Sequence, residues 1–369
     1  MKLPLSIPLL SAVIFCAWVG QTFADRISLV PMADGTVQVS GSGFSNLSYS
    51  IQATTDLANP AWTPLATVSA DTNGIFNFVD VDATNHSNRF YRGVQATATT
   101  FGSGLTAKQT IAISGGAIDS FNSSVAPYTY GSYGGNVVVL SDTNATGAIK
   151  LNAVFIFGMV VTPPLGTVTL VGSASAVGDT NWIATGNVGI QPGHYTNNAN
   201  FQFIDWPAPY TSGAALTGGI VNGTNYTYVI DGNLHPNYYA DWLSLSSQNM
   251  LVQGCATLYV KGSFIVSGTG YIYLAPDSSL TLYVGGTATI SGGGIVNSTG
   301  LAKNISIYGL PSCTGLTYSG SSSFIGTLNA PEASVTITGG NNLFGAIVAN
   351  TIAVSGGVVI HFDEALSNR

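Results

Sequence analysis

Apolar and polar positions alternate along this chain in short phrases that close on glycine. "TLYVKG" starts at Thr257 and "TLYVGG" at Thr281, 24 residues later. Related phrases are "TIAISGG" from Thr110, "VTLVGSAS" from Val168, "ISIYG" from Ile305, "VTITGG" from Val335 and "IAVSGG" from Ile352. In a strand, successive side chains point to opposite faces. Leu258 and Val260 therefore share one face, with Thr257 and Tyr259 on the other; Leu282 and Val284 repeat the inward pair. One such unit cannot bury its apolar face alone, so a strand-turn phrase returning every ~20–25 residues is the signature of a solenoid. The expected fold class is all-β: a right-handed parallel β-helix, its corners bent by glycines at positive φ.

A different texture precedes it. "TVQVSG" (from Thr36), "YSIQAT" (from Tyr49), "WTPLATVSA" (from Trp62), "IFNFVD" (from Ile75) and "RFYRGV" (from Arg89) alternate at period two between turn signals. Short strands at this spacing predict a small antiparallel β-sandwich over residues 26–94, with Trp62, Phe76, Phe78 and Tyr91 as its core. Residues 95–109, small and polar, are expected as a linker. The solenoid is expected over 110–369, broken by an aromatic-rich insertion over 181–249. Two other architectures fit alternating strands. An outer-membrane barrel would show a regular aromatic girdle, which is missing. A stacked array of sandwiches would repeat its phrases less faithfully.

The first residues change the picture of destination. Lys2, an apolar run from Leu3 to Val19 and the small residues Thr22 and Ala24 predict a signal peptide over 1–24, cleaved after Ala24. A membrane anchor is the alternative, at about the shortest length that spans. The protein is then expected to be secreted, extracellular or at the cell surface, with the periplasm as the other compartment. It has no expected membrane span after cleavage. Only 7% of residues are charged and the net charge is −7, which argues against nucleic acid as a partner. Hydrophobic residues make up 46% of the chain, which argues against disorder.

Two longer patterns carry resemblances. "YSIQATTDL", Trp62, Leu65, Asp71, Gly74, Phe76, Phe78, Asp80 and "RFYR" resemble a small β-module of secreted bacterial proteins, which implies an accessory or interaction role. "FIGTLNAPEASVTITGG" (from Phe324), "LFGAIVANTIAVSGG" (from Leu343) and "VVIHFDEAL" (from Val358), with "AIDSFNSS" (from Ala117), resemble an uncharacterised domain family of exported bacterial proteins. Some members are associated with pilus assembly. The solenoid texture is also similar, more distantly, to bactofilin-like polymer-forming β-helices. These resemblances imply structure rather than catalysis.

Candidate chemistry is sparse. Between Thr110 and Asn368 there is no arginine, and the lysines are Lys150, Lys261 and Lys303; a lyase relying on Arg has nothing to use. Most aspartates sit beside Gly, Ser, Asn or Pro, where they serve turns. If the solenoid is a polysaccharide hydrolase or lyase, Asp231, His235 and Asp241 are the catalytic candidates. Trp182, Tyr195, Trp206, Tyr210, Tyr238, Tyr239 and Trp242 are the ligand-binding candidates, because flat aromatic faces stack on sugar rings. The competing expectation is that these aromatics pack as a cover over the solenoid. His361, Asp363 and Glu364 invite a metal or acid/base reading, but at the expected last coil they read as a polar cap. Cys255 and Cys313 are a candidate disulfide in an exported chain, or two packed thiols. No metal site and no cofactor is expected. Polysaccharide, other surface proteins, or further copies joined through the solenoid ends are the expected partners.

Overall fold

The computed structural model describes residues 26–42, 48–57, 61–71, 75–95, 101–199, 201 and 203–368. The expected signal peptide lies outside the described residues. The protein is all-β and divides into two compact units between Val94 and Gln95.

In the first unit, Arg26–Pro31, Val37–Ser42 and Ile75–Asp80 form one antiparallel three-stranded sheet. Ser48–Thr54 pairs with Thr63–Ser69 in a second sheet completed by Phe90–Gln95. Val39, Tyr49, Ile51, Ala70 and Phe76 bury a core between them, with Tyr49 and Phe76 stacked at 4.7 Å. Phe78 and Tyr91 pack against this core from a partly buried position. Trp62 is not part of it. Its ring instead carries the Arg92 guanidinium at 4.4 Å, a cation–π contact.

The second unit holds a 21-stranded sheet, in which every described pairing is parallel, and a five-stranded sheet. Its strands stack in layers, and one column of inward positions runs through ten of them: Tyr195, Val160, Val139, Leu105, Ile347, Leu328, Ile307, Leu282, Leu258 and Tyr238. A second column contains Leu245, Val266, Ile290, Tyr318, Ile337, Val354, Ile113 and Leu151. Apart from Tyr195, these side chains are buried in one continuous cluster. The stacking is therefore driven by apolar burial, layer on layer.

The order of layers is not the order of the chain. Residues 101–199 build layers in one direction. The chain then crosses back, starts again near residue 217 and builds towards the first set. Its last strands, Asn342–Val354 and Val359–Asp363, lie directly against Leu105–Ala107, Ile111–Ser114 and Ala117–Phe121. The beginning and end of this unit thus meet inside the stack, at a seam.

Three expectations are corrected here. The linker does not reach 109, because Phe101, Leu105 and Ala107 belong to the core. The insertion does not extend from 181 to 249. Thr224–Asp231, Asn237–Ala240 and Leu243–Leu245 are layer strands, and Tyr238 fills the inward place that Leu258 fills next to it. The non-strand stretch comprises residues 197–199, 201 and 203–216 among the described residues, and we call residues 197–216 the strap. Finally, "IHFDEAL" caps no exposed end. His361 and Asp363 are buried at the seam. The stack instead ends in Val168–Val171 and the two-residue strands Gly189–Ile190 and Tyr195–Thr196 on one side, and in Asn237–Ala240, Leu243–Leu245 and the antiparallel hairpin of Thr217–Val221 with Thr224–Asp231 on the other.

Candidate functional site

The outward neighbours of the first column form their own register: Thr196, Val161, Leu140, Thr106, Val348, Asn329, Tyr308, Tyr283, Tyr259 and Tyr239. On a solvent-facing sheet such positions would be wet. Here Val161, Leu140, Thr106, Val348, Asn329 and Tyr259 are buried. The strap lies over them and crosses the layers in order.

Its contacts can be followed from end to end. Ala199 N–H donates to Thr162 O at 2.9 Å. Phe201 N–H donates to the Asp142 carboxylate. Phe203 faces Lys108, whose Nζ lies 5.7 Å from the ring centroid and pairs with Glu332. Trp206 packs on Tyr308 at 4.7 Å. The Tyr210 hydroxyl lies 2.7 Å from Tyr238 O and 3.0 Å from Thr257 O, tying two layers together. Burial pushes this phenol up to about 12. Ala214 closes the strap: its N–H donates to Asn237 O at 2.9 Å, and Tyr239 N–H donates to Ala214 O at 3.1 Å.

The tyrosines beneath form a ladder, with Tyr283 stacked on Tyr308 at 5.1 Å and Tyr239 edge-on to Tyr259 at 5.6 Å. Tyr259, Tyr283 and Tyr308 were not singled out from the sequence. Their shared place after the central residue of "TLYV", "TLYV" and "SIYG" is the signal that would have found them.

The expected site residues are dispersed. Trp206, Tyr210 and Tyr238 are strap and core anchors. Trp182 sits in the helix Thr180–Ala184, its N–H donating to Asp179 Oδ1 at 2.7 Å. The Tyr195 hydroxyl lies 3.0 Å from Thr162 Oγ1 at the far end of the stack. Asp231 accepts Gln253 Nε2 at 2.7 Å and Asn233 N–H at 2.9 Å, and these bonds, led by the one from Gln253, hold its carboxyl below the usual range. Asp241 instead accepts the Tyr239 hydroxyl at 2.7 Å, and His235 packs edge-on against Tyr238. Among the described contacts the three catalytic candidates share no side-chain hydrogen bond; His235 N–H donates to the Asp231 backbone carbonyl at 2.9 Å, a turn contact. Trp242 alone among the ligand candidates is broadly open, at 70% exposure. Among the described residues no group of three His, Cys, Asp or Glu could hold a metal ion.

Cys255 and Cys313 are both free, Cys255 exposed and Cys313 buried. The candidate disulfide is not formed. Cys255 pairs in register with Ser279, and Cys313 follows the strand one layer further on, so roughly 10 Å of stacking separates them, beyond disulfide reach. Burial pushes the Cys313 thiol up.

Asp142, beside Ser141 and so one of the aspartates expected to serve a turn, is a further titratable group. Burial under the strap pushes its carboxyl up to about 6, against an ordinary value of 3.8. A carboxyl raised on folding binds its proton more tightly in the native state. Its unfavourable contribution is therefore absent below about pH 4 and grows as pH rises through 6. Discounted for partial exposure, this is on the order of 1–2 kcal/mol. Asp142→Asn is expected to raise stability by that amount at pH 7 and to change it little at pH 4, as urea unfolding at the two pH values will read.

Residues 212–369, from the end of the strap to the seam, match the model of a family described as a domain of unknown function (DUF7305). No curated protein matches the chain. Among solved structures, the competence-associated pilin ComZ from Thermus thermophilus is similar at 11% identity, over 93% of this chain and 82% of that chain, with a TM-score of 0.29. No helix among the described residues is long and apolar enough to cross a membrane.

Proposed function

We propose that the chain is an exported, non-catalytic structural protein of the bacterial surface or extracellular space. In this reading its second unit is a right-handed parallel β-helix serving as a rigid scaffold. The observation that carries it is the strap. Trp206 and Tyr210, which suit a ligand best by residue type, are used to pin the strap across the layers. Asp231 and Asp241 are each engaged in local hydrogen bonds, which also supports a structural role. The pilus association implied by the sequence resemblance belongs to the same reading.

A second reading, contact with a glycan, is favoured by Trp242. Its exposed indole adjoins Asp241, a carboxylate already oriented by Tyr239. Both readings are tested on a panel of extracellular polysaccharides. No product release is expected from the wild-type protein. Glycan binding lost in Trp242→Ala would support the second reading. Turnover abolished by Asp231→Asn would overturn the first.

A further inference from the structure

The seam joins parts of the chain some 240 residues apart without a covalent bond. His361 Nδ1 lies 2.5 Å from Asp119 Oδ1, and Ser123 donates from both N–H and Oγ to Asp363, at 3.0 and 2.7 Å. Ser120 Oγ and Asn136 Nδ2 donate to Glu364 Oε1, at 2.6 and 3.0 Å. Lys108 pairs with Glu332. Until the seam closes, residues 342–363 and 105–121 each present an open parallel edge, and an open edge is a template for any matching strand. Every copy of the chain carries both matching edges.

What selects the partner is the strap. From Thr196 to Ala214 the chain advances 18 residues, which reach about 59–65 Å when extended. The register places nine inter-strand steps between Tyr195 and Tyr238, or roughly 43 Å at ~4.8 Å each. The strap is thus long enough to close the seam within one chain, with roughly 16–22 Å of extended reach in reserve. Closing within one chain also keeps Trp206 on Tyr308 and Tyr210 on Tyr238 and Thr257, contacts that an exchanged strap would lose.

We propose that the seam is an exchangeable interface whose other occupant is a second copy of this chain. Strands 105–121 of one copy dock on strands 342–363 of the next, with the same parallel ladder and the same polar contacts, and the strap acts as the hinge. Exchange of this kind needs no new contact at the seam, and its cost is the loss of the strap's own contacts through Trp206 and Tyr210. The open edges at the outer ends, Val168–Val171 and Leu243–Leu245, are short, and the matched polar pairs lie at the seam, so association is placed at the seam rather than end to end.

The test shortens the strap in the full chain. Removing residues 205–212 leaves ten steps, about 33–36 Å, too short for the span. Lys108→Cys and Glu332→Cys are added in a Cys255→Ser background, so that a short bismaleimide reports the seam. The parent chain is expected to be monomeric and cross-linked within itself. The shortened chain is expected to become a soluble β-rich oligomer by light scattering and circular dichroism, with cross-links between copies. Because the deletion also removes Trp206 and Tyr210, a variant with 205–212 replaced by eight Gly and Ser residues separates length from packing, and it is expected to stay monomeric. A shortened chain that is monomeric, folded or unfolded, would overturn the proposal. So would an aggregate without cross-links between copies, or equal oligomerisation of the Gly/Ser variant.

Discussion

Leu282→Ala is expected to destabilise the second unit by about 3–5 kcal/mol, read as a fall in the urea midpoint at unchanged slope. Leu282 is fully buried, with Leu258 on one side of it and Ile307 on the other in the same inward column. Removing its branched end loses the transfer free energy of the buried atoms. It also leaves a cavity that two flat layers cannot close without shifting their backbones. Glycine corners make that shift harder. A Cβ on Gly285 would already sit 2.2 Å from Lys261 O, so the layers touch backbone to backbone at the turn. Thr281→Ala, on the partly exposed outward face of the same strand, is the control and is expected to stay within about 0.5 kcal/mol. In a linear array, damage in one layer can be confined, because layers beyond it fray separately from the chain ends. Here the ends of the unit lie at the seam in mid-stack, and the strap ties the outer layers together. Loss at Leu282 is therefore expected to lower one shared transition rather than split it in two.

The phrases themselves were informative beyond periodicity. "TLYVKG" and "TLYVGG" are neighbours in space, with Leu258 on Leu282 and Tyr259 on Tyr283. The same holds for "TIAISGG" near the start of the unit and "IAVSGG" near its end, where Ile111, Ala112 and Ile113 lie in register with Ile352, Ala353 and Val354. Similar phrases stack because matching shapes interdigitate and matching glycine corners approach closely; a Cβ on Gly116 would lie 2.0 Å from Val358 O. Chain order hides this adjacency, since nothing local records a return across 240 residues. It is also why "IHFDEAL" read as an end cap. The layers around Tyr238 were hidden for a different reason. The short strand Asn237–Ala240 follows Pro236 and carries a tyrosine inward, so it breaks the Leu/Val alternation while keeping the register. Of the candidate site, the clustering of aromatics was legible in composition. Their role was not, because whether a tyrosine faces a ligand or a strap depends on what crosses above it.

Asp119→Ala is expected to cost about 3–5 kcal/mol, because it removes one partner from a buried hydrogen-bonded pair and strands the other. Asp119 and His361 are neighbours in register on the two strands that meet at the seam, and both are buried. The imidazole packs against the rings of both Tyr128, at 3.9 Å, and Phe344, at 4.6 Å, which also touch each other at 5.5 Å. The Tyr128 hydroxyl donates to the second Asp119 oxygen at 3.0 Å, and burial with Asp119 nearby pushes that phenol up. The Nε2 of His361 has no hydrogen-bond partner among the described residues. Without Asp119 the ring would have both nitrogens unsatisfied in an apolar slot, and Tyr128 would lose its acceptor. The double variant Asp119→Leu/His361→Leu removes both polar partners and keeps volume in the slot, so it is expected to cost no more than about 2 kcal/mol, less than the single change. Guanidinium unfolding of the three proteins distinguishes the cases. A single variant that loses less than about 1 kcal/mol would mean that the pair contributes little and that apolar stacking alone holds the seam. If the double variant proves at least as stable as the wild type, the pair serves register rather than stability: it fixes which strand of the last layer meets which strand of the first, where a slip by one residue would turn Ile118 and Ile360 out of the core.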